Sequence, residues 1–224
     1  MIDAGELSGN PACWNAGIAA TALSDWEAAR WAWSSYGIPI TDADGAIAED
    51  FGHGLVRLPD GETVWGRRID PARMQLLSIP LPESGFRSDD IVLHDGEPVG
   101  SRVAHGHEYT VFNVIERWQE SEVPTVSVQI GTDSAGADHL TQMAEAAGIR
   151  GENWTKSVVV HCRACSLGRV DFDHPEHDHT THRAPDAPIR FGFSGTGGDV
   201  RALLDRWVTE AHGHVVDVTV HDEP

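Results

Sequence analysis

From Thr125 onward the spacing of apolar residues switches repeatedly between a period of two and a period near 3.6, and this succession restricts the fold more than any other feature. Thr125–Ile130 alternates Val126, Val128 and Ile130 with polar residues, the pattern of a half-buried strand. Asp138–Ala147 carries Leu140, Met143, Ala144 and Ala147 at helical spacing, and Gly148 stops it. Lys156–His161 reads as a second strand, and Ile189–Phe193 as a third with apolar residues at 189, 191 and 193. Asp199–Ala211 places Val200, Leu203, Leu204, Trp207 and Val208 on one helical face. Val215–Val220 supplies a fourth strand beyond Gly213. The expected order is therefore β-α-β-β-α-β.

That order resembles the split β-α-β, or ferredoxin-like, plan, in which two helices cover one face of a four-stranded sheet. It assigns residues 123–224 to a ferredoxin-like domain with a Cys/His-rich connection between its second and third strands. Residues 51–122 read as a small antiparallel β domain, a barrel or curled sheet. Pro59-Asp60-Gly61 and His94-Asp95-Gly96 each carry turn chemistry between strand-like runs. Met74–Leu81 is a strand candidate, while Tyr109–Trp118 fits a strand or a short helix equally. Residues 1–50 read as a helical hairpin and linker, with helices over Asn10–Ala22 and Asp25–Tyr36 and a linker over Gly37–Asp50. The fold class expected is α+β.

Trp14, Gly17, Ala20, Leu23, Asp25, Trp26, Ala29, Ala32 and Trp33 fall where a tetratricopeptide-type helical hairpin places aromatic, small and turn residues. The run resembles one such repeat, with Ala16 where the repeat prefers Leu, Ser24 in place of the turn glycine, and no second copy. The resemblance implies partner binding. Repeat arrays bury a continuous core only by stacking, so a lone hairpin is expected to pack on the rest of its own chain.

Lys plus Arg number 16 against 35 Asp plus Glu, a formal charge of −19. Nucleic-acid affinity rests on cationic contacts that release counterions, so such a surface points away from nucleic acid. It favours solubility and attracts a basic protein partner. The apolar runs are far shorter than the ~20 residues of a bilayer span. Met1–Glu6 has no basic or apolar leader segment, which makes the cytoplasm the expected location.

The three cysteines are Cys13, Cys162 and Cys165. An odd count without an export signal points away from a disulfide framework. Cys162 and Cys165, two residues apart, can grip one zinc ion from a tight turn, and two imidazoles from His174, His177, His179 and His182 can complete a tetrahedron. Such a metal would staple a long polar connection. A closed structural site is the expectation, because surplus donors fill the open position that catalysis needs. The alternative is a metal-dependent hydrolase with Asp171, Asp173, Glu176 or Asp178 as base. A redox pair fits poorly, because the cysteines follow a strand instead of opening a helix.

Phe193–Asp199 runs from strand to helix but lacks the P-loop and dinucleotide-loop endings, and Asp199 is expected to cap its helix. His105-Gly106-His107 with Glu116 has wrong spacings for a cupin metal motif. His53, His94 and His139 read as surface or capping residues. No recognisable catalytic grouping emerges. The sequence thus suggests a non-enzymatic, cytoplasmic protein-binding protein of adaptor, regulatory or toxin-neutralising type, such as bacteria use, with a structural zinc site.

Overall fold

The computed structural model describes residues 8–42, 44–157, 187–211 and 213–221. Two helices open the chain, α1 (Pro11–Ala22) and α2 (Trp26–Tyr36). Asn10 caps α1 by accepting from the Ala12 N–H at 2.9 Å, with Pro11 in the first turn where no donor is needed. Asp25 caps α2 by accepting from Ala28 N–H at 3.1 Å, and Gly37 ends it in the left-handed region. Both helices lie where the sequence places them. Ser24 takes a positive φ of 59° between them, the conformation usually left to glycine.

Five strands follow: β1 (His53–Arg57), β2 (Thr63–Arg68), β3 (Arg73–Leu76), β4 (Ile91–Ala104) and β5 (His107–Gln119). They form a closed barrel in sequential order. Each strand reverses on the last, so the first and fifth of an odd-numbered meander run the same way. Closure is accordingly parallel, Leu55–Arg57 on Val111–Asn113, while every other pairing is antiparallel. Val56, Val64, Met74, Leu76, Val92 and Phe112 are buried on the inward register. Leu93 and Ala72 face out of the barrel onto the helical hairpin, joining Ala20, Ala29, Trp33 and Ile47 in one core.

One expectation needs correction here. His94-Asp95-Gly96 is not a hairpin turn: β4 passes through it, and the turn is His105-Gly106, both at positive φ, as a two-residue hairpin requires. The described residues of the linker 37–50 form no helix or strand. Arg30 donates to the carbonyls of Asp42 and Gly45 at 2.7 and 2.5 Å, and Ile47 is fully buried.

The chain divides into two compact units. The first comprises Met1–Pro59, Thr63–Leu77 and Asp90–Gln119, and so holds the hairpin and the barrel; the second comprises Asp60–Glu62, Ser78–Asp89 and Glu120–Pro224. The second unit contains β6 (Thr125–Gly131), α3 (Ser134–Ala146), β7 (Arg150–Glu152), the short α4 (Trp154–Ser157), β8 (Ile189–Ser194), α5 (Gly197–Glu210) and β9 (His214–His221). Its sheet order is β7-β8-β6-β9, antiparallel throughout. Each β-α-β pair therefore has a strand of the other pair between its members. Val126, Val128, Ile130, Phe191 and Phe193 meet Leu140, Ala144, Leu203, Leu204 and Trp207 from the helices.

The second strand is displaced from its expected place. It lies at Arg150–Glu152, and Lys156–Ser157, expected as its start, belong to α4; residues 158–161 lie outside the described set. Arg150-Gly151-Glu152 carries no apolar alternation. Its fit comes from Gly151, where a Cβ would approach the Phe193 ring to 2.7 Å.

The first unit turns on Arg73, whose side chain is 3% exposed. Its Nε donates to Asp70 Oδ2 at 2.5 Å and its Nη2 to the Ile47 carbonyl at 2.5 Å. Asp70 Oδ1 accepts from the backbone N–H groups of Ala72 and Arg73. The guanidinium lies 4.6 Å from the Trp26 ring centre and 4.5 Å from that of Trp118. Asp70→Asn leaves this buried cation without its counter-charge and should cost about 3–5 kcal/mol. The midpoint of urea unfolding measures the loss, and a change below ~1 kcal/mol would show the pair to be dispensable.

Candidate functional site

The cluster singled out in the sequence, Cys162, Cys165, His174, His177, His179 and His182, lies outside the described residues, as do Asp171, Asp173, Glu176 and Asp178. Among the described residues no group of three or more His, Cys, Asp or Glu could hold a metal ion. His105 and His107 are exposed at the β4–β5 turn. His53 is exposed, and His139 pairs with Glu210 at 3.3 Å on the surface. At the start of α5 the cap is Thr196 and not Asp199. Thr196 Oγ1 accepts from Asp199 N–H at 3.2 Å and donates to the Asp199 carboxylate at 2.7 Å, so side chains already occupy the helix end.

The described residues instead bring chemistry together inside the barrel. Between His94↔Val114 and Pro98↔Phe112, β4 advances four residues while β5 advances two, so Asp95–Glu97 bulge from the ladder. A bulge re-aims its neighbours. Trp14 of α1 clamps it: the indole N–H donates to the Asp95 carbonyl at 2.7 Å, and the ring lies over Gly96. A Cβ at Gly96 would come within 2.1 Å of the indole, and its φ of 71° independently favours glycine. Trp14 is held in turn edge-on by Trp33 and Tyr36.

His94, two residues beyond the inward Val92 on β4, is buried with no exposed surface, and the bulge begins directly after it. Its Nδ1 accepts from the Gly96 N–H at 3.1 Å, which assigns the ring proton of the neutral imidazole to Nε2. The ring stacks on Phe112 at 4.5 Å and 21°. Burial, reinforced by the nearby Arg68 charge, pushes its pKa down to about 3. Nε2 is buried and has no hydrogen-bond partner.

Arg68 shares the inward register of β2 with Val64 and Gly66. Its guanidinium stands 5.3 Å from the Phe112 ring centre and 6.0 Å from that of Phe51. Burial lowers its pKa, the nearby Asp70 opposing that, and its Nε is likewise buried without a hydrogen-bond partner. The imidazole and the guanidinium thus both lie near the Phe112 ring, and neither His94 Nε2 nor Arg68 Nε has a hydrogen-bond partner. Sequence reasoning missed both, reading His94 as a surface or capping residue. The available signal was Arg68 two residues beyond Gly66 in an alternating strand, which places a cation on an otherwise apolar face.

A second electrostatic feature lies in the other unit. Glu62 accepts from the Leu81 N–H at 3.1 and 3.2 Å, and Glu152 from the Ile79 N–H at 3.0 Å. Burial pushes the Glu62 pKa up to about 7 despite the Leu81 N–H, with the charges of Asp60, Glu152 and Glu83 adding to the rise.

The two displaced groups respond to pH with opposite signs. His94 resists protonation in the folded chain, so stability is lost as pH falls from 6.5 towards 3, on the order of 4 kcal/mol across the window. His94→Phe keeps a stacked ring and should abolish that acid-side loss in the barrel amides, followed by hydrogen exchange; an unaltered acid limb would contradict the assignment. Glu62 holds its proton more tightly when folded, so stability declines as pH rises from 4.5 to about 7. Glu62→Gln keeps an acceptor for Leu81 and should gain about 1–2 kcal/mol at pH 8 after solvent screening. Exchange at the β6 and β8 amides reads this out, and identical pH profiles for both chains would rule it out. Compared with models of known protein families, with curated proteins and with solved structures, the chain gives no match.

Proposed function

We propose that the chain is a non-enzymatic protein-binding protein, of adaptor, regulatory or toxin-neutralising type, whose partner is basic and whose setting is the cytoplasm. The observation that carries this reading is where the cations go. In the first unit Arg73 pairs with Asp70, Arg117 with Asp90 and Arg67 with Asp50. In the second, Arg87 pairs with Glu120, Arg150 with Asp89, Lys156 with Asp138 and Arg190 with Glu83. These seven basic side chains are thus neutralised by acidic partners of their own unit. Glu27, Glu97, Glu108, Glu116, Glu145 and Asp205 stand exposed, and the sequence carries 35 acidic side chains against 16 basic ones. A field of that sign speeds encounter with a basic protein and repels phosphate backbones. No helix among the described residues is long and apolar enough to cross a membrane.

The helical hairpin supports a scaffolding share in this function. Gly17 lets Trp33 approach so closely that a Cβ there would lie 2.7 Å from the indole, and the face carrying Ala20, Ala29 and Trp33 is buried with Ile47, Ala72 and Leu93. The zinc site belongs to the same proposal. Cys162 and Cys165 with two of His174, His177, His179 and His182 would staple the connection between β7 and β8.

Affinity capture on the immobilised chain should retain a basic protein, and release it as the Debye length shrinks from ~8 Å at physiological salt to ~3 Å at 1 M. Absence of any specific partner, together with turnover of a substrate, would overturn the reading. Protein purified without chelator should carry one zinc per chain. The Cys162→Ser, Cys165→Ser variant should lose it along with several degrees of melting temperature. Metal lost with no change in stability would argue for catalysis instead.

A further inference from the structure

We propose that Arg68, His94 and Phe112 form a binding site for a small monocarboxylate with an apolar body, at the end of the barrel where Phe51 adjoins β2. This site is separate from the partner-binding reading above and stands without it. Three observations carry it. His94 Nε2 is fully covered and bears a proton with no acceptor, because Nδ1 is already engaged by the Gly96 N–H. Arg68 Nε, a second covered donor, also lacks an acceptor. Both groups lie against the Phe112 ring, at 4.5 Å for the imidazole and 5.3 Å for the guanidinium.

Leaving a buried donor unmade is costly, and native chains do so where a ligand or ordered water completes the set. The chemistry of the pair selects the ligand. One guanidinium supplies a single positive charge, which one carboxylate balances; a phosphate would bring up to two charges and more oxygens than these two donors can meet. The half-buried Phe51 ring beside Arg68 suits an apolar remainder. Arg68 is the half-buried member of the set, and its guanidinium also reaches the Phe51 ring. Entry therefore requires the Arg68 side chain to swing outward and return over the bound carboxylate, while His94 stays locked by the Trp14-clamped bulge. The guanidinium fork and the fixed imidazole N–H would then each hold one oxygen.

The experiment titrates the full chain with benzoate, phenylacetate and hexanoate, following the ring nitrogens of His94 by NMR and the melting temperature. At least one acid should shift the Nε2 resonance saturably and raise the melting temperature, while benzyl alcohol and inorganic phosphate leave both unmoved. Arg68→Lys keeps the charge but removes Nε–H, and His94→Phe keeps the stack but removes the donor. Each should weaken binding at least tenfold in a chain whose circular dichroism is unchanged. Failure of all three acids to shift His94 would leave the donors to water and overturn the proposal. So would phosphate binding as well as the acids, or either variant binding as tightly as the parent.

Discussion

Arg73 is the point at which the first unit is tied together. A guanidinium taken out of water is tolerable only with a counter-charge, satisfied N–H groups and polarisable surroundings, and here all three are met from different parts of the chain. Asp70 supplies the charge, the Ile47 carbonyl an acceptor, and the faces of Trp26 and Trp118 the surroundings. The helical hairpin, the loop before the barrel, the β2–β3 turn and the last barrel strand are thereby referred to one side chain. Trp118 completes the connection by donating to the Ala22 carbonyl at 3.3 Å.

The interior of the barrel depends on that anchorage at one remove. The hairpin presents Trp14 to the bulge, where its indole N–H holds the Asp95 carbonyl beside the Gly96 N–H that His94 Nδ1 accepts from. The bulge beside the buried His94 is thus held by an indole that is not part of the barrel. The exposed polar residues at the β4–β5 turn carry no comparable support, which separates the inward histidine from His105 and His107.

Much of this fold is legible in local sequence, because its signals are local. Val126-Ser-Val-Gln-Ile130 alternates because one face of β6 is buried, and Leu203, Leu204 and Trp207 recur at helical spacing because α5 covers that face. Asn10-Pro11 and Asp25 announce helix starts by chemistry confined to one turn. What escaped is non-local. Asp95-Gly96 reads as a hairpin turn because turn and bulge demand the same backbone freedom, and only the partner strand's register tells them apart. β7 escaped because Arg150-Gly151-Glu152 earns its place by the smallness of Gly151 under Phe193. His94 and Arg68 lie 26 positions apart in sequence and meet only when the barrel closes.

The division of the chain into two units has a consequence for how such a protein can be made and rearranged. The second unit takes Asp60–Glu62 and Ser78–Asp89 from between strands of the first. These segments supply the Ile79 carbonyl that accepts from the Trp154 indole, the Asp89 carboxylate that grips Arg150, and Glu83 opposite Arg190. The ribosome therefore releases parts of the second unit well before the sheet that will receive them exists. Nor can a recombination crossover anywhere between residues 90 and 120 pass on the second unit intact, so the two halves are bound to descend as a single heritable piece.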